Sequence, residues 1–147
     1  MTKDSRDRVL IADDNEANVE LLEAYLADMD VDVAVAVDGQ DALDKAAAFD
    51  PHLILLDVMM PKLSGFEVCQ KLKSNPHTSR IMILMVTALN EHGDMERGVE
   101  SGADDFLSKP VNKDALIKRV QLMLKLRNVT DELERLRRYI EEMEEDR

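Results

Sequence analysis

Leu53-Ile54-Leu55-Leu56-Asp57-Val58-Met59-Met60-Pro61 is the stretch that decides the fold. Four apolar residues run without polar alternation, then stop at an acid, and a proline follows within five residues. An uninterrupted apolar run of this length is a strand covered on both faces, as in a parallel sheet. Working outward, the same texture recurs at Val9-Leu10-Ile11-Ala12, at Asp32 to Val37, at Ile81 to Val86 and, more weakly, at Phe106-Leu107-Ser108.

Between these runs lie stretches of helical period. Leu22, Tyr25, Leu26 and Met29 mark one face of a first helix, and Asp38-Gly39 opens a second with Ala42, Leu43, Ala46 and Ala47 inward. Ser64 and Glu67 have capping-box spacing and start a third helix carrying Val68, Cys69 and Leu72. A fourth spans about Asp94 to Ser101, although Gly98 costs it ~1 kcal/mol relative to alanine. Asn112 caps a fifth. Five strand–helix alternations predict an α/β domain, a doubly wound five-stranded parallel sheet of flavodoxin-like form with a C-terminal helical extension.

Length and charge narrow the function. The 147 residues hold one domain plus an appended element. With 31 acidic and 19 basic side chains the net charge is −12, which disfavours nucleic acid and anionic lipid as partners. Cys69 is the one cysteine, so neither an intrachain disulfide nor a thiolate metal cage is available. His52, His77 and His92 share no ligand spacing and read as surface or loop residues. Met1 to Arg8 is polar, and the longest apolar run is far too short to cross a bilayer, so a cytoplasmic protein is expected.

In a doubly wound sheet, ligands bind at the carboxyl ends of the strands. Asp13-Asp14-Asn15, Asp57, Thr87-Ala88 and Lys109-Pro110 follow four of the five runs. A glycine-rich phosphate loop after the first strand is missing, which excludes a dinucleotide fold. Asp13-Asp14 alone would suit a helix N-terminus. Together with Asp57, the pair forms a carboxylate set that calls for a cation, and hard divalent ions favour oxygen.

This set, with Asp57 inside Asp57-Val58-Met59-Met60-Pro61, resembles the response-regulator receiver family over about Asp7 to Leu124. The resemblance implies that Asp57 accepts a phosphoryl group from a histidine kinase or phosphotransfer protein. It implies Mg²⁺ bound by Asp14, Asp57 and the Met59 carbonyl, with Asp13 acting mainly through water. It also implies that Thr87, the Ala88 amide and Lys109 contact the phosphoryl group. Phe106 falls at the family's switching aromatic position, and Lys109-Pro110 would be cis. Met85 to Leu89 with Glu100 to Leu107 is similar to receivers that precede diguanylate cyclase domains, so such an output domain is a possible downstream partner. No turnover enzyme domain is expected in this sequence. A dehalogenase-type phosphatase would need an acid two residues beyond Asp57, where Met59 stands. The other alternative is a non-phosphorylated dimerisation or scaffold module.

The receiver is expected over 1–121. Over 122–147 a coiled-coil helix continuous with the fifth receiver helix is expected to form a parallel homodimer. Leu126, Leu133 and Ile140 would be a positions; Leu122, Val129, Leu136 and Met143 would be d positions, with Glu132 facing Arg137 across the interface. The competing expectation is a single amphipathic helix, folded back on its own receiver or frayed in solution.

Overall fold

The computed structural model describes residues 6–88, 92–126 and 132–145, and within these the side chains at 87, 92–96, 132 and 135 are left undescribed. The chain order is β1 (Asp7–Ala12), α1 (Glu16–Leu26), β2 (Val31–Ala36), α2 (Gly39–Phe49), β3 (Leu53–Leu56), α3 (Gly65–Ser74), β4 (Met82–Thr87), α4 (His92–Ser101), β5 (Asp105–Ser108), α5 (Lys113–Leu126) and α6 (Glu132–Glu145). The five strands form one parallel sheet in the order β2-β1-β3-β4-β5. The doubly wound sheet expected from the apolar runs is therefore the observed one.

Strand alternation explains the unbroken apolar runs. Val9, Ile11, Leu53 and Leu55 point into a core with α1 and α5, while Leu10, Ala12, Ile54 and Leu56 join a second core with α2 and α3. Each central strand thus feeds two cores, so neither face tolerates a polar residue. Truncating one of these fully buried leucines to alanine costs about 2–5 kcal/mol in comparable sites. β2 and β5 lie at the edges, and they are the less buried strands.

The helix starts follow their capping residues. Asn15 accepts from the Asn18 amide, Asp38 from Asp41, and Asn112 from Ala115. Ser64 and Glu67 make both bonds of the capping box. Two local expectations need correction. α1 ends at Leu26, so Met29 packs from the following turn, and Ala47 faces solvent.

The C-terminal helix differs more. Leu122 and Leu126 are buried, at 8% and 0% exposure, and Met123 and Leu124 belong to the core that α1 and α5 share. Buried in this way, Leu122 and Leu126 do not present the outward seam that a coil interface needs. Nor is α6 a straight continuation of α5. Lys125 Nζ lies 2.7 Å from Glu142 Oε1, whereas one helix would set those residues ~25 Å apart. Tyr139 packs against the α1–α5 core. The helix folds back on its own receiver because Tyr139 finds apolar cover there and Glu142 finds a cation. Val129, together with the Glu132 side chain, lies outside the described residues. Among the described residues no helix is long and apolar enough to cross a membrane.

Candidate acidic phosphoryl-acceptor site

The strand order reverses at β1, whose neighbours are β2 and β3. The crevice at the carboxyl ends of β1 and β3 is the place for a ligand in such a sheet. Asp13 directly follows β1 and Asp57 directly follows β3, and the Asp57 amide donates to Ala12 O at 2.9 Å. That bond fixes the spacing between the two strand ends and the acids they carry.

Asp13, Asp14 and Asp57 offer carboxylate oxygens that all lie within 4.8 Å of one another. Asp13 and Asp57 are buried, at 2% and 6% exposure, and Asp14 is exposed. The cluster is therefore two inner carboxylates with a third at the mouth. Helix capping does not account for it. Asn15 is the α1 cap, and Asp13 accepts the amide of that cap residue at 2.9 Å rather than capping α1 itself.

Lys109 supplies the counter-charge. Its Nζ is 3.2 Å from Asp13 Oδ2 and 3.5 Å from Asp57 Oδ2. It follows β5 directly and precedes Pro110 across a cis peptide bond. An ammonium shared by two buried carboxylates offsets part of their mutual repulsion and desolvation. The all-oxygen donor set is also the kind that holds a hard divalent cation.

The remaining expected residues divide. Thr87 ends β4, in register with Ser108, so its backbone stands at the same rim; its side chain lies outside the described residues. Ala88 follows it and is exposed. Met59 is two residues past Asp57 with its side chain 76% exposed, leaving its backbone as the group available to the site. Phe106 is half-buried on the α2–α3 side of the sheet.

Several contacts had no sequence signal. Gly65 opens α3 against the acceptor segment, and a Cβ there would stand 2.3 Å from Asp57 O. Asp104 takes Lys73 Nζ at 3.1 Å and the Ile83 amide at 2.7 Å, bracing β4 against α3. His52, expected as a loop residue, accepts the Arg8 amide at 2.9 Å through Nδ1 and ties β1 to β3 at the far edge. Asp105, Arg119 and Tyr139 form a further polar group at the start of β5. Each depends on partners distant in sequence.

The fold and pocket together define a class, a parallel doubly wound domain with an acidic acceptor crevice closed by a lysine. The chain belongs to the response-regulator receiver family: the model described as response regulator receiver domain matches residues 9–121. Such domains are the phosphoryl-accepting parts of response regulators.

Among curated relatives, Response regulator PleD of Caulobacter vibrioides is 49% identical over 126 residues, covering 86% of this chain and 28% of that protein. The transcriptional regulator RpaA of Synechocystis is 42% identical over 118 residues, covering 80% and 49%. The chain thus spans under half the length of either. Among solved structures, chemotaxis protein CheY4 of Vibrio cholerae aligns with a TM-score of 0.74 at 31% identity, over 80% of this chain and 98% of that one. The receiver domain of a Syntrophus aciditrophicus signal-transduction histidine kinase gives 0.79 at 29% identity, over 86% and 96%.

Proposed function

We propose that Asp57 is the phosphoryl acceptor of this receiver. The observation that carries the assignment is a buried strand-end carboxylate paired with Lys109 beside two further acids. An Asp57 oxygen would bond to phosphorus as the bond from phosphorus to the donor's leaving nitrogen breaks, with a phosphohistidine of a histidine kinase or phosphotransfer protein as donor. A carboxylate is a weak nucleophile, so the chain's contribution is alignment and charge neutralisation. Lys109 would follow the incoming charge, and Thr87 and the Ala88 amide would hydrogen-bond phosphoryl oxygens. Asp13, Asp14, Asp57 and the Met59 carbonyl would hold Mg²⁺, which supplies further neutralisation when bound. Phe106 would act with Thr87 as the switch pair.

Output would pass through α6 and a homodimer. Leu133, Leu136 and Ile140 of α6 are 76%, 54% and 49% exposed, an apolar stripe at the heptad spacing of a two-stranded contact. The similarity to PleD favours a diguanylate cyclase as the downstream domain of a longer protein. A non-phosphorylated scaffold has no observation in its favour, since Asp13, Asp14, Asp57 and Lys109 are all present and brought together.

Intact-mass measurement after incubation with Mg²⁺ and acetyl phosphate tests the acceptor. One added phosphoryl group in the wild type and none in Asp57→Asn is the expected result. Uptake that persists in Asp57→Asn would overturn the assignment.

A further inference from the structure

α6 carries different chemistry around its circumference. Tyr139 and Glu142 lie about 60° apart at ~100° per residue, and both meet the receiver. The Tyr139 hydroxyl donates to Asp105 Oδ2, and Lys125 Nζ of α5 meets Glu142 Oε1 at 2.7 Å. Leu133, Leu136 and Ile140 remain outward. Arg137 is used within the helix, bonded to Glu134 and Glu141 at 2.6 Å each, so it is committed to neither surface.

The docking point is a short distance from the acceptor crevice. Asp105 begins β5; its Oδ2 also holds Arg119 Nε of α5 at 3.1 Å, and its Oδ1 takes the Phe106 amide at 2.8 Å. Lys109 follows the other end of the same four-residue strand and grips Asp13 and Asp57. At ~3.3 Å per residue, β5 is a rod of about 13 Å from Asp105 to Lys109. One end holds α6 and the other holds the acceptor carboxylate.

We propose that the β5–α5 surface is a docking site for this chain's own α6, anchored by Tyr139 on Asp105, and that phosphorylation of Asp57 releases the helix. The release step rests on Asp57 being the acceptor. The occupant is α6 in cis because it is seated there with complementary charge, and a five-residue connection keeps its effective concentration high. The direction follows from Lys109. Docked α6 accompanies a Lys109 shared between two carboxylates, and a phosphoryl group on Asp57 concentrates negative charge on one side and draws the ammonium from Asp13. That displacement travels along β5 to Asp105 and Phe106. By reciprocity, loss of α6 docking favours the phosphorylated state.

Hydrogen exchange of the α6 amides in the full chain tests this, before and after phosphorylation verified by intact mass and at two protein concentrations. Severalfold faster α6 exchange after phosphorylation is expected. Tyr139→Ala should give that fast exchange in both states, with Tyr139→Phe in between. Unchanged or slower α6 exchange in verified phosphoprotein overturns the release. Unchanged exchange in Tyr139→Ala overturns the anchor, and wild-type protection that vanishes on dilution overturns the cis occupant. A chain that takes up no phosphoryl group overturns the acceptor assignment and the release with it, while the Tyr139→Ala comparison still decides the docking.

Discussion

The Phe106 ring occupies the space that a side chain at Gly98 would fill: a Cβ there would stand 2.2 Å from Cε2 and 2.6 Å from Cζ. A glycine that weakens α4 by propensity therefore admits the aromatic ring of β5. Gly98→Ala should destabilise the chain by about 1–2 kcal/mol, because overpacking outweighs the ~1 kcal/mol gain in helix propensity. In a Phe106→Ala background the same change should become stabilising. Urea unfolding of the wild type and the three variants checks the sign reversal, and additive effects would refute the shared space.

Removing Lys109 leaves Asp13 and Asp57 buried without their ammonium. Lys109→Met should lower stability in chelator by about 2 kcal/mol, less than for a fully buried pair because Lys109 keeps some solvent contact. Mg²⁺ should recover more stability in this variant than in wild type. Thermal melts in chelator and in Mg²⁺, at matched ionic strength, measure both quantities.

Asp14 stands at the mouth of the cluster, where its replacement leaves the core intact. A cation bound there would stabilise the wild type by ~2.7 kcal/mol at a hundredfold excess over its dissociation constant. Asp14→Ala should lose most of that increment. Equal Mg²⁺-induced shifts in the two proteins would argue against Asp14 as a ligand.

Tyr139 offers a spectroscopic reading of α6. Burial raises its phenol pKa far above the ordinary range, and the hydrogen bond to Asp105 and the Asp105 charge add to this, with Asp104 contributing and Arg119 opposing. Because the docked state favours the protonated phenol, its stabilisation is complete below the unfolded value of ~10 and is lost as pH rises from there toward the docked value. In Tyr25→Phe, phenolate absorbance should therefore appear late, and Asp105→Asn should bring it to lower pH. Titration at the ordinary value without Asp105→Asn would contradict the buried contact.

The outward stripe of α6 predicts association. Leu133→Glu with Ile140→Glu places charge on exposed positions without touching Tyr139 or Glu142. Sedimentation at tens of micromolar should show a self-associating wild type and a monomeric double variant. Two monomers, phosphorylated or not, would remove the homodimer from the scheme.

The five strands, their parallel arrangement and the acids at their ends were legible in the sequence, because burial on two faces demands continuous apolar runs and local caps demand particular residues. Ser64 with Glu67, Asp38 and Asn112 act over three or four residues, a range that sequence spacing captures. The identity of Asp13, Asp14, Asp57 and Lys109 as one rim followed from strand ends and family resemblance. Tertiary structure decided what depends on distant partners. Gly98 looked like a simple cost until Phe106 was placed against it. The heptad spacing through Leu122 and Leu126 arose from positions buried within the fold, since a core-facing helix and a coil seam repeat apolar residues at nearly the same period. Whether α6 extends away or turns back was settled by Tyr139 meeting Asp105, two side chains 34 residues apart whose pairing no local pattern records.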